Sequence, residues 1–218
     1  MQNYITLNQK ENPPSSYPSK IVVDIILKVC LLGDSQVGKT GFSDVLCGRS
    51  FVEKYVPNIS ATFKLKNKQD TKERMLELQI CDTAGQKRYR SLLSTYLQGA
   101  QIVCVCFDLN KENGVHTNEN KTINIYLRVC VNAVREHCSE DAKLMFIGCK
   151  SDSRQEANGN DKIGNAILSL GLDNNKIIKD SNSNNRLFFK TSAKTGDGFK
   201  EVQNAISSCM EVRGVETV

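Results

Sequence analysis

The sequence predicts an α/β fold, one domain on a mostly parallel six-stranded sheet with helices on both faces. Three observations lead there. Apolar, β-branched runs alternate with stretches of helical periodicity along most of the chain. Two runs, Ile102 to Phe107 and Leu144 to Cys149, are apolar almost throughout, as strands covered on both faces must be. Polar residues with chemistry to offer follow directly after such runs, and open parallel sheets bind ligands beyond the carboxyl ends of their strands.

Taken in order, Met1 to Ser19 is polar, carries Pro13, Pro14 and Pro18, and reads as a flexible arm without the apolar middle of a signal peptide. Ile21 to Leu32 is a buried strand stopped at Gly33, and Lys39 to Leu46 follows as a helix. Phe63 to Lys68 and Met75 to Cys81 alternate apolar and polar residues around a polar Asn67 to Glu73, the pattern of a hairpin. Ile102 to Phe107 is the next strand. Ile123, Tyr126, Leu127, Cys130, Val131 and Val134 recur at three- and four-residue steps, so Ile123 to His137 is an amphipathic helix. Leu144 to Cys149 is a strand, Lys162 to Leu170 a short helix ending near Gly171, Leu187 to Phe189 a strand, and Phe199 to Met210 a closing helix. Asn-rich stretches at Asn110 to Asn124, Asn158 to Asn165 and Asn174 to Asn185 read as surface loops. The organisation is an arm over 1–19, one domain over 20–212 and a short tail over 213–218.

Composition narrows the function classes. Hydrophobic residues at 39% and charged residues at 24% describe a soluble globular chain. The net charge of +5 comes without a Lys/Arg stripe interleaved with aromatics, which argues against nucleic acid. The 9 cysteines are irregularly spaced and lack paired C-x-x-C ligand knots, which argues against zinc. Cys30, Cys81, Cys104, Cys106 and Cys149 sit in or beside apolar runs and read as reduced thiols of a cytoplasmic protein. No apolar run reaches membrane-spanning length.

Gly33-Asp34-Ser35-Gln36-Val37-Gly38-Lys39-Thr40 fits G-x-x-x-x-G-K-[ST], with Gly41 continuing into the helix. Glycines let the backbone curl so that several N–H groups point inward, and the helix N-terminus adds its positive end to the same hollow. Lys39 would reach the β- and γ-phosphates, and the Thr40 hydroxyl suits Mg²⁺, a hard cation that wants oxygen ligands. A chance match occurs in about one chain in a hundred of this length. The position between a buried strand and a helix favours a phosphate loop over a plain Gly-rich turn, and makes the fold a single P-loop NTPase domain.

Two further motifs fall at strand ends. Asp82-Thr83-Ala84-Gly85-Gln86 follows the Met75 to Cys81 strand. There Asp82 can hold Mg²⁺ directly or through water, Gly85 can bring its N–H to a γ-phosphate, and Gln86 can orient an attacking water. By itself this stretch could be only a strand-to-turn transition, but at this distance after a phosphate loop the functional reading wins. Cys149-Lys150-Ser151-Asp152 follows the Leu144 strand, and a carboxylate at Asp152 accepts from both guanine N1–H and N2–H₂, a donor pair adenine lacks. Lys150 has an apolar stem that can lie against a base plane. Thr191-Ser192-Ala193-Lys194 follows the last strand and offers a backbone N–H near Ala193 to guanine O6.

These elements, in this order, resemble the Ras-like small GTPases from about Val22 to Met210. G-D-S-x-V-G-K-T, D-T-A-G-Q-x-R-Y-R-S-L and the Y-x-x-G-A…D pattern of Tyr96 to Asp108 are most similar to the Rab branch. The resemblance implies that Phe51 packs against guanine, that Tyr55 closes over the phosphates, and that Ser192, Ala193 and Lys194 form the last base-contact loop. It implies Mg²⁺ held by Thr40, Asn58 and Asp82, bound GTP or GDP, and catalysis through Gln86. Effectors, exchange factors and GTPase-activating proteins would meet a monomeric protein at its switch regions. Membrane traffic on the cytosolic face of membranes follows from the same resemblance, although Arg213 to Val218 carries no C-a-a-X prenylation box. Three positions depart from the pattern. Asn58 replaces the switch threonine, Gln36 replaces a glycine, and Cys149 replaces the base-reading asparagine. A thiol is a weak donor, and a lost neutral hydrogen bond costs on the order of 1 kcal/mol. The loops Asn110 to Asn120 and Asp173 to Asn185 are enlarged. A slow GTPase switch is the first expectation, a nucleotide-locked binding module the second. An ATP-using P-loop enzyme is the third, and it lacks an acceptor site.

Overall fold

The structure, a computed structural model, describes residues 23–52, 61–66, 75–82, 93–110, 120–153, 160–180 and 187–211. Strand β1 (Val23–Gly33) takes the middle of the sheet because both of its alternations are apolar. Val29 and Leu31 enter one core, Cys30 and Leu32 the other. β3 (Met75–Asp82) runs parallel to it on one side and β4 (Ile102–Asp108) on the other. β2 (Ala61–Lys66) pairs antiparallel with β3, as the hairpin pattern requires. β5 (Lys143–Cys149) lies parallel to β4, and the next position is shared by two short pieces, β6 (Ile177–Ile178) and β7 (Phe189–Lys190), both parallel to β5. The sheet thus has six strand positions and seven strands, in the order β2-β3-β1-β4-β5-β6 with β7 beside β5.

Helices cover both faces. On one, α1 (Lys39–Leu46) and α5 (Phe199–Glu211) bury Phe42, Leu46, Phe199, Val202 and Ile206 against Val29, Leu31, Ile80, Cys104 and Ile147. The Phe42 and Phe199 rings stack at 5.3 Å. On the other, α2 (Leu93–Leu97), α3 (Asn120–His137) and α4 (Asn160–Leu168) bury Leu97, Leu127, Val131, Ile163 and Ile167 against Cys30, Val103, Val105 and Phe146. Each such side chain removed from water contributes about 1.5–3 kcal/mol, so the strand ends are held by two cores at once.

The differences from the sequence reading are local. Ile177–Ile178 pairs with β5 inside a stretch read as a surface loop, because two adjacent apolar residues cap the core edge between polar asparagines. The strand expected at Leu187 starts at Phe189. α3 begins at Asn120 and α4 at Asn160, inside stretches read as loops; hydrophobic periodicity sees only the buried positions of a helix, and its polar first turn escapes. α4 also ends at Leu168, and Gly171 beyond it takes φ 59°. The short α2 buries only Leu97 and left no periodic signal. The arm, the tail and the first switch beyond Val52 lie outside the described residues. No helix among the described residues is long and apolar enough to cross a membrane.

Candidate functional site

Five strand ends open on the same side. β1 leads into the Gly33–Thr40 loop, β3 ends on Asp82, β4 on Asp108, β5 runs into Lys150 to Asp152, and β7 into Thr191 to Lys194. In the loop, Gly38 takes φ 113°, where any side chain is strained, and an added Cβ would stand 3.1 Å from Cys149 Cβ. The loop and the β5 end therefore meet closely. Asp34, Ser35 and Gln36 are exposed and Val37 is buried. Asp34 Oδ1 accepts from the Ser35 N–H at 2.8 Å. The Lys39 side chain is buried and folds back across the loop, its Nζ donating to the carbonyls of Gly33 at 2.9 Å and Asp34 at 2.7 Å.

Thr40 lies one residue on. Its Oγ1 donates to Asp82 Oδ2 at 2.5 Å. Asp82 Oδ1 is buried and has no hydrogen-bond partner among the described residues. Burial pushes the Asp82 carboxyl up, against the opposing pull of Thr40 and Lys39. A buried carboxylate oxygen left bare beside a hydroxyl is costly unless something cationic meets it. The pair offers hard oxygens at one point, and so fits Mg²⁺.

The opposite end is assembled from distant segments. Asp152 Oδ1 accepts from Ser192 Oγ at 2.6 Å, and that hydrogen bond holds the Asp152 carboxyl below its ordinary range. The Ser151 N–H donates to the Thr191 carbonyl at 3.1 Å, tying the two loops by their backbones. A methyl added at Gly41 would stand 3.3 Å from Ala193 Cβ and 3.5 Å from the Phe51 ring, so Phe51, Gly41 and Ala193 converge. Lys194 beside them is exposed. This loop depends on Gly198 at φ 79°, where a Cβ would fall 1.9 Å from the Lys190 carbonyl oxygen.

Lys150 joins the two ends. Its Nζ donates to the Gln36 carbonyl and to Asp108 Oδ2, both at 2.7 Å. Lys150 and Gln36 themselves sit in the left-handed region, at φ 62° and 64°, a conformation that costs a non-glycine residue about 1–2 kcal/mol. Asn110 Nδ2 donates to the Lys150 carbonyl at 3.2 Å. Cys149 is buried, and its Sγ donates weakly to the Ile147 carbonyl at 4.0 Å. The sequence reading missed the roles of Asp108 and Asn110. The signal was there: an Asp closing a fully apolar strand, at the edge where ligands bind.

Of the residues singled out in the sequence, Asp34 to Gly41, Phe51, Asp82, Cys149, Lys150, Asp152 and Ser192 to Lys194 lie along this one edge of the sheet. Tyr55, Asn58, Gly85 and Gln86 lie outside the described residues.

Fold and loop together define an α/β protein of the P-loop class. The Ras family model matches residues 28–211, and the chain belongs to the Ras family of small GTPases. It is similar to Ras-related protein SEC4 of Saccharomyces cerevisiae, at 28% identity over 82% of this chain and 72% of that one. It is also similar to Ras-related protein Rab-8B of Dictyostelium discoideum, at 27% identity over 94% of this chain and 87% of that one. GTP-binding protein yptV2 of Volvox carteri is 30% identical over 64% of this chain and 59% of its own length. These relatives put the chain in the Rab branch.

Proposed function

We propose that the protein is a Rab-like molecular switch that binds Mg²⁺ with GTP or GDP at this edge, hydrolyses GTP slowly, and offers effectors a different surface in each state. One observation carries the reading: the Thr40 hydroxyl on Asp82 at 2.5 Å, with the second carboxylate oxygen buried and bare. Thr40 would hold the metal directly, Asp82 directly or through water, and Asn58 would stand third. The ion, when bound, neutralises phosphate charge.

The chain's own groups do the rest. Lys39 exchanges its two loop carbonyls for phosphate oxygens. The N–H groups of Asp34 to Gly41 line the same hollow, and Tyr55 closes it. Gly85 brings a backbone N–H to the γ-phosphate, and Gln86 orients water. Asp152, kept charged by Ser192, accepts from the guanine N1–H and N2–H₂, with Phe51 and the Lys150 stem against the base and Ser192 to Lys194 around O6. Membership of the Ras family and a relative that binds GTP support guanine. Membrane traffic on cytosolic faces is the process the Rab branch suggests. Exchange factors and activating proteins are the partners.

One feature favours a second reading, a nucleotide-locked module with little turnover. Cys149 spends its weak donor on the Ile147 carbonyl and gives the base no amide. Single-turnover assays on the co-purified nucleotide separate the two. The switch reading expects guanine nucleotide, released by a metal chelator, and hydrolysis near about 10⁻⁴ s⁻¹ that slows in Gln86→Leu. Bound GTP that survives unchanged selects the locked module. Bound adenine nucleotide overturns the guanine assignment.

A further inference from the structure

Two thiols outside the nucleotide site meet across β1 and β3. Cys30 and Cys81 are register partners on these parallel strands. Neighbouring strands lie about 4.8 Å apart, within the Cα span a disulfide accepts. Both side chains lie on the same face of the sheet, Cys81 packed against the core that buries Cys30, and both are free thiols. Cys30 is fully buried, whereas Cys81 is half-buried. Cys30 Sγ also donates to the Tyr96 carbonyl at 2.9 Å, at the end of α2. A third thiol on the same face, Cys138, donates to the Leu97 carbonyl at 3.5 Å and is the natural competitor.

We propose that Cys30 and Cys81 form an oxidisable pair, which a peroxide converts into a disulfide between β1 and β3 that alters the phosphate site. Cys81, the more exposed, meets the oxidant. Its sulfur takes one oxygen from hydrogen peroxide, giving Cys81–SOH and one water. The Cys30 sulfur then attacks that sulfur, the S–S bond forms, and the hydroxyl leaves with the Cys30 proton as a second water. Two thiols lose two electrons in all, and one peroxide becomes two waters.

The consequences follow from position. Cys30 lies three residues before Gly33, where the phosphate loop begins, and Cys81 directly precedes Asp82. Closing the sulfurs to about 2.0 Å draws these two strand ends together. It also removes the hydrogen that the Tyr96 carbonyl accepts. The Thr40–Asp82 contact shifts with the strand that carries it.

The test uses the full chain loaded with a fluorescent GDP, exposed to stoichiometric hydrogen peroxide, alkylated and digested. The expected product is a cross-linked peptide pair holding Cys30 and Cys81, lighter than the two thiol peptides by about 2 Da and separated again by dithiothreitol. GDP release from the oxidised protein should be faster by about fivefold. Cys30→Ser, which keeps a donor for Tyr96, and Cys81→Ser should each abolish both effects, while Cys138→Ser keeps both. Cys81 recovered as a sulfinic acid, or joined to Cys138, overturns the pair. A Cys30–Cys81 cross-link with unchanged GDP release overturns its action on the phosphate site. That action rests on the nucleotide reading above, whereas the cross-link does not. If the reduced protein fails to hold GDP, the nucleotide reading falls and the peptide masses alone decide the pair.

Discussion

The proposed phosphate end and the proposed base end of the site are built in different ways. The first is one contiguous stretch whose contacts are local: Lys39 reaches back to Gly33 and Asp34, and Gly38 turns the chain into α1. The second is a meeting of remote segments. Asp152 and Ser192 are 40 residues apart, Lys150 and Asp108 42 residues, and Lys150 and Gln36 114 residues. A local motif carries its own geometry, so substitutions there act directly on the ligand. A convergent site depends on sheet register, so its residues act as much by holding one another as by touching a base. In the family pattern an asparagine stands where Cys149 does, and Lys150 provides the hydrogen-bonded bridge between the two ends here.

That contrast can be broken from either side. The largest effect is expected in the phosphate end. Lys39→Met should weaken Mg²⁺–GTP binding by about 100-fold, near 2.7 kcal/mol, by titration calorimetry on a protein with unchanged circular dichroism. A loss below tenfold would mean that the loop backbone alone supplies the binding. Next comes the base end. Asp152→Asn should cost GTP about 1.5–3 kcal/mol and improve xanthosine triphosphate binding, because the amide donates where xanthine has a carbonyl. Ser192 keeps the Asp152 carboxyl below its ordinary range, so the charged form persists as the pH falls. The guanine preference should therefore be the same at pH 7 and about pH 5.5, and a loss across that interval would show that another group reads the base.

Smaller effects sharpen the role of the bridge. The Asp108 side chain is 5% exposed while that of Lys150 is 41% exposed, so a freed ammonium can turn to water. Asp108→Asn should then cost about 1.5 kcal/mol of nucleotide affinity rather than the larger penalty of a stranded buried charge. The loss should appear in GDP off-rates measured by stopped flow, with the melting temperature little changed. An equal fall in melting temperature would assign Asp108 to the fold alone. The smallest effect is a gain. Cys149→Asn should tighten GDP by about 0.5–1 kcal/mol through one restored amide hydrogen bond, and no gain would show that the cleft beside Gly38 leaves the amide no room.

Legibility follows the same division. The Gly33–Thr40 motif, the uninterrupted apolar runs of β4 and β5 and the helix over Lys39–Leu46 could be read directly, because backbone curl and two-faced burial each demand particular residues at adjacent positions. Asp108 could not be assigned a partner, since nothing near it in the chain shows that Lys150 comes to it. The edge strand Ile177–Ile178 was hidden by its polar neighbours, for two residues are too short to show a period.

Alternating apolar runs, the phosphate loop and the family pattern were determined by the sequence itself, because each is a rule about residues close together in the chain. The joining of Gln36, Asp108 and Lys150, the bare oxygen of Asp82 and the facing of Cys30 with Cys81 were decided only by the tertiary structure. Parallel pairing sets which residue on one strand meets which on the next. That register comes from two cores packing at once, which no local stretch of sequence can specify.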